Sequence, residues 1–288
     1  MSRATMGRSV VVTGVSTGIG HGITSVLIKH GVHVFGSVRK PEDAARLSAE
    51  FHDGFTPLLF DVTDARAIAA AAGVVRQRLS GATLLGLVNN AGIPVFGPLM
   101  HIPLDELRRQ LEVNLVAVLA VTQAFVPLLG ADRSLKGAPG RIVNMGSVGG
   151  KIAAPFLGPY SASKFALEGL SESLRRELML FGIDVIVIGP GAVATPIWDK
   201  AEQAGTSQFD GTEYAAPLRK FGDYFLKAGR AGYPPERVGA VVWRALSAAR
   251  PRVRYAVVPH ALRGWVIPRL LPKRVIDRII GKSTGLMR

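Results

Sequence analysis

Tyr160 and Lys164 stand four residues apart in the run Pro159-Tyr160-Ser161-Ala162-Ser163-Lys164, with an isolated Ser147 upstream. Four residues on a helix advance roughly 6 Å and return to nearly the same face, so the ammonium comes to lie beneath the phenol. A free phenol has a pKa of about 10. A fixed positive charge beside it favours the phenolate and lowers that value toward the range where a general acid or base is efficient. Such a pair suggests carbonyl reduction. The same spacing also arises on half-buried helices whose lysine only snorkels to water, so it acquires meaning from its surroundings.

Those surroundings begin near the N-terminus. Ser9-Val10-Val11-Val12-Thr13 reads as a short buried strand and runs directly into Gly14-Val15-Ser16-Thr17-Gly18-Ile19-Gly20, followed by an apolar periodic stretch from Ile23 to Ile28. Gly14, Gly18 and Gly20 permit positive φ and let the backbone approach a pyrophosphate, and a helix beginning near Gly18 aims its free amides at that anion. A second apolar strand, Val32 to Val38, follows the turn at Gly31 and completes a βαβ unit.

Further apolar runs occur at Thr56 to Phe60, Leu84 to Asn89, Arg141 to Met145, Asp184 to Ile188 and Tyr255 to Val258, with helical segments between them. Strands buried on both faces and alternating with helices predict an α/β fold: a doubly wound parallel sheet, Rossmann-type, in a single domain over residues 1–288. The ligand crevice of such a sheet lies beyond the carboxyl ends of its strands, where the candidate residues gather. The break at Gly130 to Gly140 is a connection and not a linker. The apolar stretch Leu115 to Leu129 is interrupted by Thr122, Gln123 and Pro127 and reads as a core helix.

Composition narrows the chemistry. The chain has 288 residues, 48% of them hydrophobic, enough for a substantial core. It has no cysteine, which excludes disulfides and thiol catalysis. Its histidines (His21, His30, His33, His52, His101 and His260) lack metal-ligand spacing, so no metal is expected. The first seven residues are short and polar and the first apolar run is already the nucleotide-binding strand, so no signal peptide is expected and the location is read as cytoplasmic.

With these motifs in hand, the sequence from about Val10 to Trp198 resembles the short-chain dehydrogenase/reductase family. Besides the Thr-Gly-x-x-x-Gly-Ile-Gly loop and Tyr-x-x-x-Lys, the resemblance rests on Asp61-Val62 after the third strand and Asn89-Asn90-Ala91-Gly92 after the fourth. Asn114 within a long apolar helix, Ser147 after the fifth strand and Pro190-Gly191-Ala192-Val193-Ala194-Thr195 after the sixth complete it. It implies an NAD(P)-dependent oxidoreductase that interconverts a carbonyl and an alcohol. Tyr160 would be the acid-base residue, Ser147 the hydrogen bond to the carbonyl oxygen, Lys164 the group that lowers the phenol's pKa and holds the nicotinamide ribose, and Asn114 the anchor of a proton-relay water. For the cofactor, the resemblance implies the loop Gly14, Ser16, Thr17, Gly18, Ile19 and Gly20 at the pyrophosphate, and Asp61 with Val62 at adenine. It also implies Asn89, Ala91 and Gly92 at the adenine ribose, and Pro190, Gly191, Val193 and Thr195 around the nicotinamide. Asp61 also reads as a helix cap. Gly189 departs from the family, which often has a polar residue there.

An NAD-type site would place a carboxylate at the end of the second strand. Here the segment is Ser37-Val38-Arg39-Lys40. Arg39 is able to stack on adenine or pair with a 2′-phosphate, so NADP(H) is favoured, with NAD(H) the alternative because Thr17 is not the basic residue that NADP-preferring loops often carry. Pro196 to Pro235 falls where the family places its substrate lid. Trp198, Phe209, Tyr214, Phe221, Tyr224 and Phe225 make it aromatic, while its charges form no single-sign clamp. A bulky apolar substrate of steroid, retinoid or aryl type is expected, against the simpler reading in which the aromatics only pin the lid to the core.

The net charge of +14 is concentrated toward the C-terminus. Between Pro251 and Arg288, Arg252, Arg254, Arg263, Arg269, Lys273, Arg274, Arg278, Lys282 and Arg288 stand against only Asp277. With Trp265, Val266, Ile267, Leu270, Leu271, Val275, Ile276, Ile279 and Ile280 interleaved, 259–288 reads as a basic amphipathic tail that suits an anionic membrane surface. Alternatively it covers the substrate pocket or a subunit seam with its arginines in water, Pro268 and Pro272 breaking any single long helix. No nucleic-acid recognition motif accompanies the charge. A homodimer or homotetramer is expected. A non-catalytic nucleotide-binding regulatory or scaffold protein is the alternative of a different class, and retention of Asn114, Ser147, Tyr160 and Lys164 together favours the enzyme.

Overall fold

The segments that become strands are mostly buried, and their alternate side chains reach opposite layers. In the computed structural model, which describes residues 8–259, 261 and 265–287, Val10 and Val12 of β1 (Ser9–Val12) enter one core layer and Val11 the other. His260, Arg263 and Arg288 lie outside the described residues. β2 (His33–Val38), β3 (Phe55–Leu59), β4 (Gly86–Asn89), β5 (Arg141–Met145), β6 (Asp184–Pro190) and β7 (Arg254–Val257) join β1 in one sheet. Its order is β3-β2-β1-β4-β5-β6-β7 and every pairing is parallel. The doubly wound sheet anticipated from alternation is thus the observed fold.

Boundaries shift where partners dictate. β4 begins at Gly86 and not at Leu84, because the Leu84 amide bonds to the Leu128 carbonyl across to a helix end. β6 runs on to Pro190 because β7 pairs with it through Gly189–Ala256 and Pro190–Val257.

One layer is built by Ile23 and Leu27 of α1 (Gly18–Lys29), Leu47 of α2 (Pro41–Phe51) and Val238, Val242 and Leu246 of α9 (Pro235–Ser247). The opposite layer takes Ile68 and Val75 of α3 (Ala65–Leu79), then Val121 and Phe125 of α5 (Ala117–Phe125) and Leu174 of α6 (Gly158–Glu177). The helical run containing α5 is longer than the sequence reading allows. It starts with α4 (Leu104–Leu111), passes through a π-helical turn at Glu112–Val116 and continues to Leu129, 26 residues long and apolar enough by length and composition to cross a membrane. Here it packs on the sheet through Val118, Val121, Phe125 and Leu128, all buried.

α7 (Ile197–Ala204) and α8 (Ala215–Arg230) follow β6, and the chain returns at Tyr233, whose amide and carbonyl bond to Ala192 and Ala194. In the tail, α10 (Ile267–Leu270) and α11 (Lys273–Thr284) are separated at Leu271-Pro272, as the prolines require, and α11 packs on α8.

α6 carries Tyr160 and Lys164, so its seating on the sheet matters most. Buried amides do this. Asn89 Nδ2 donates to Thr122 Oγ1 at 3.0 Å and to Asn144 Oδ1 at 2.9 Å, Asn144 Nδ2 donates to Ser171 Oγ at 2.9 Å, and Ser171 Oγ donates to the Leu167 carbonyl. The chain crosses from α5 through β4 and β5 to α6. Replacing Asn144, which is fully buried, with valine strips Asn89 and Ser171 of a partner in a place water does not reach. Asn144→Val is expected to lower unfolding free energy by about 1–3 kcal/mol, measured by urea denaturation; a change below ~0.5 kcal/mol would show that the network does not hold the helix.

Candidate active site

Tyr160 and Lys164 lie in the first two turns of α6, on the face toward the carboxyl end of β5. Lys164 is only 7% exposed. Its Nζ donates to the Met145 carbonyl at 2.7 Å and lies 5.7 Å from the centroid of the Tyr160 ring, the stacked placement that the spacing anticipates. Ser147 follows β5 by two residues and caps a short 3₁₀ turn, Val148–Gly150, its Oγ accepting from the Gly149 amide at 3.0 Å. Ser147 lies close enough to Tyr160 to draw the phenol's pKa downward.

The electrostatics differ from the expectation that Lys164 lowers the phenol. Burial pushes Tyr160 above its ordinary pKa, with the Ser147 hydrogen bond pulling the other way. Burial also lowers Lys164 to about 8. Removal from water is the dominant influence on both groups, because each sits where its charged form is poorly solvated.

Asn114 lies in the π-helical turn and is buried. Its Oδ1 accepts from the Ile93 amide at 2.9 Å, and its Nδ2 donates to the Ile93 carbonyl at 2.9 Å and to Ser163 Oγ at 3.2 Å. Ser163 in turn donates to the Tyr160 carbonyl at 2.7 Å. The amide therefore ties the strand-end loop of β4 to the turn carrying the tyrosine.

The glycine loop fits a dinucleotide. Gly14 and Gly18 have φ of +69° and +60°. A Cβ on Gly20 would fall 2.1 Å from the Gly14 carbonyl and 2.6 Å from Asn90 Nδ2, so only glycine permits the turn. Asn90 Nδ2 holds that turn through the carbonyls of Thr13 and Gly14 at 2.8 and 3.0 Å. Ser37 Oγ accepts from the Gly14 amide at 2.9 Å. The Thr17 side chain does not cap α1, which leaves its first-turn amides to an anion. Ser16, Thr17 and Ile19 complete this loop. Thr195, from the segment after β6, comes within 3.3 Å of where a Gly18 Cβ would stand, so this segment adjoins the glycine loop; Pro190 ends β6, Gly191 follows it and Val193 is buried.

Val62, Asn89 and Ala91 line one small hollow with Thr13, and Gly92 abuts Asn114 Oδ1. The Asn89 side chain is buried and bonds to Thr122 and Asn144, while Asn90 holds the glycine loop. Asp61 is not the cap of α3; Asp64 is, accepting from the Arg66 and Ala67 amides. Burial raises the Asp61 carboxyl, but the Thr63 amide and hydroxyl and the Arg39 guanidinium outweigh it and hold the group below its ordinary value. Arg39 is 75% exposed and 3.8 Å from Asp61.

Three residues outside the sequence reading border the site. Arg46 donates to the Ser16 carbonyl at 2.7 Å. Phe156 is buried at φ +62°, a strained value for an aromatic residue that no sequence signal reveals. Glu168 lies one turn beyond Lys164 and accepts from Arg254. Phe156, Leu157, Phe209, Leu218 and Phe221 form a buried cluster against which Tyr160, Phe96, Tyr214 and Phe225 pack, an apolar wall beside the phenol. Tyr224 points away, 73% exposed.

The Lys164 shift has a stability consequence. Its folded pKa of about 8 lies below the ordinary 10.5, so between those values the unfolded chain binds more protons and this group's contribution to stability rises with pH. Below pH 8 the cost of the buried ammonium is fully present. Lys164→Met is therefore expected to be more stable than wild type at pH 7 by on the order of 2 kcal/mol, after allowing for the lost bond to Met145. The gap should close toward pH 10.5. Urea denaturation at pH 7 and pH 10 checks this, and a variant less stable than wild type at pH 7 contradicts it.

Comparison with known proteins gives the same reading as the geometry. The family model for short chain dehydrogenase matches residues 8–205. The NADPH-dependent 3-dehydrocapnine reductase of Ornithobacterium rhinotracheale is 39% identical, over 96% of this chain and 97% of that protein. Retinol dehydrogenase 5 of Mus musculus is 32% identical, over 94% and 87%. A short-chain dehydrogenase from Streptomyces avermitilis superimposes with a TM-score of 0.76 at 26% identity, covering 98% of each chain. On the motif order, the parallel sheet and these likenesses together, the chain belongs to the short-chain dehydrogenase/reductase family and is an oxidoreductase.

Proposed function

We propose that the protein is an NADP(H)-dependent oxidoreductase that interconverts a bulky apolar carbonyl compound and the corresponding alcohol, with Tyr160, Ser147, Lys164 and Asn114 as its catalytic set. The observation that carries this reading is Tyr160, with Lys164 Nζ 5.7 Å from its ring centroid, packed at the edge of the Phe156, Phe209 and Phe221 cluster. The nicotinamide cofactor supplies or accepts hydride when bound. A carbonyl oxygen placed at Ser147 and Tyr160 gains negative charge during reduction; the phenol donates its proton to that oxygen and the serine hydroxyl stabilises it by a hydrogen bond. Lys164 keeps positive charge behind the phenol and so limits the cost of the phenolate left behind.

The cofactor preference is inferred from the end of β2. No carboxylate stands there, and Arg39 is held only by a long contact with Asp61, the kind of exposed pair worth well under ~1 kcal/mol, so it is available to a 2′-phosphate. The name of the 39% identical reductase agrees. The substrate class is inferred from the apolar wall, together with the likeness to a retinol dehydrogenase. Part of the lid's aromatic surface is spent on packing, since Phe225 stacks on Phe221 at 5.3 Å and meets Trp198 at 5.0 Å. A homodimer or homotetramer in the cytoplasm, with the tail resting on an anionic membrane, belongs to the same reading. Leu270 and Ile279 are exposed beside Lys273, Arg274, Arg278 and Lys282, which supports the membrane contact.

NADPH oxidation against a series of aliphatic and aryl ketones tests the reading, with kcat/KM expected to rise with apolar size; preference for polyols or anionic substrates would overturn it. Tyr160→Phe is expected to lower turnover at least ~10²-fold while NADPH affinity changes little. A Phe variant that binds NADPH and turns over normally would remove Tyr160 from its role.

NADPH is expected to bind more tightly than NADH, and Arg39→Ala to narrow the gap by ~1–3 kcal/mol. Titration of both cofactors into both proteins gives the answer, and equal dissociation constants in the native protein would refute the preference.

A further inference from the structure

Arg254 belongs by sequence to the basic C-terminal region, yet it points inward. It pairs with Val187 in the β6–β7 register, and its side chain runs along the sheet toward Gly189, two residues farther along the same face of β6. Its Nε donates to Glu168 Oε1 at 2.8 Å, and its Nη2 donates to the Ser147 carbonyl at 3.2 Å. Both ionic side chains are nearly enclosed, at 17% and 10% exposed. The other oxygen of Glu168 lies 3.2 Å from Lys151 Nζ. One carboxylate on α6 is thus held by the residue that closes the serine turn and by the residue that grips the serine's own carbonyl.

The space for this fork is specific. A Cβ on Gly189 would fall 2.5 Å from Arg254 Nη2 and 3.1 Å from Cζ, so any side chain there displaces the guanidinium. The Trp265 ring, from the tail, lies 4.4 Å from the Arg254 guanidinium and 4.6 Å from that of Arg269. The catalytic serine is therefore connected to the C-terminal tail through one arginine.

We propose that Arg254 is a positioning residue for Ser147: its guanidinium fork bridges Glu168 and the Ser147 carbonyl, fixes the Ser147–Lys151 turn relative to Tyr160 on α6, and requires glycine at 189. This rests on the functional reading above. A lysine at 254 retains charge for Glu168 but presents a single ammonium and not a planar fork, so it loses the simultaneous grip on the serine carbonyl.

The test compares Arg254→Lys, Arg254→Met and Gly189→Val in the full chain by three readouts: amide hydrogen exchange over residues 147–151, NADPH affinity, and kcat against KM for the best ketone found. Arg254→Lys is expected to melt close to wild type, to bind NADPH within about twofold, to exchange faster at 147–151, and to lose roughly 10- to 100-fold in kcat, the scale of a misplaced catalytic group. Gly189→Val is expected to reproduce the exchange and kcat effects with Arg254 intact. Unchanged exchange at 147–151 in Arg254→Lys and Arg254→Met overturns the inference whatever the activity, as does full recovery of kcat by lysine. A wild-type protein that reduces no ketone, with variants that still exchange faster at the turn, would sink the functional reading and leave the positioning role standing.

Discussion

The site depends on holding one helix against the carboxyl ends of two strands. Proton transfer tolerates errors of only about 0.5 Å, and apolar packing alone is poorly directional, so the register of α6 on β5 is set by polar bonds in places without water. Lys164 to the Met145 carbonyl and Asn114 to Ser163 engage one turn of the helix, and Asn144 to Ser171 engages it about two turns further on. The helix residues involved are small serines or Lys164 itself. A bulkier residue at those positions would push the helix off the sheet and carry the phenol with it.

The same closeness sets the charge states. Tyr160 and Lys164 are both shifted toward their neutral forms by burial. At neutral pH the pair is an intact phenol above a lysine that is still mostly protonated, which is the state required of a proton donor. In the proposed reduction, one proton would leave a site where a standing phenolate is costly, with the lysine charge already in place when that phenolate forms.

Much of this was legible in the chain. The strands are short, largely apolar runs bounded by turns, so their pattern survives folding within two residues. The Gly14–Gly20 loop and the Tyr160–Lys164 spacing are local, and local geometry enforces them. What escaped reading was polar and distant. Asn89 and Asn144 sit inside apolar strands where no periodicity distinguishes a core amide from a ligand contact, and the partners are 55 residues apart. Arg254 and Glu168 are separated by 86 residues, and each alone resembles a solvated charge. The strained Phe156 follows a proline in a loop and has no signature, because its conformation is imposed by the groups around it.

The charge excess illustrates the point. Arginines that count toward the net charge include some the fold has consumed: Arg141 donates to the Ala245 and Leu246 carbonyls and lies 3.4 Å from Asp184, while Arg254 donates to Glu168 and to the Ser147 carbonyl. The field left to the tail comes from the exposed residues of α11, and that helix packs on α8, which carries Leu218 and Phe221 of the apolar wall. The tail thus touches the helix that lines the apolar wall and, through Trp265, the arginine bonded to the Ser147 carbonyl. Nothing in the spacing of the tail or of the Tyr160 motif predicts that the two lie so near.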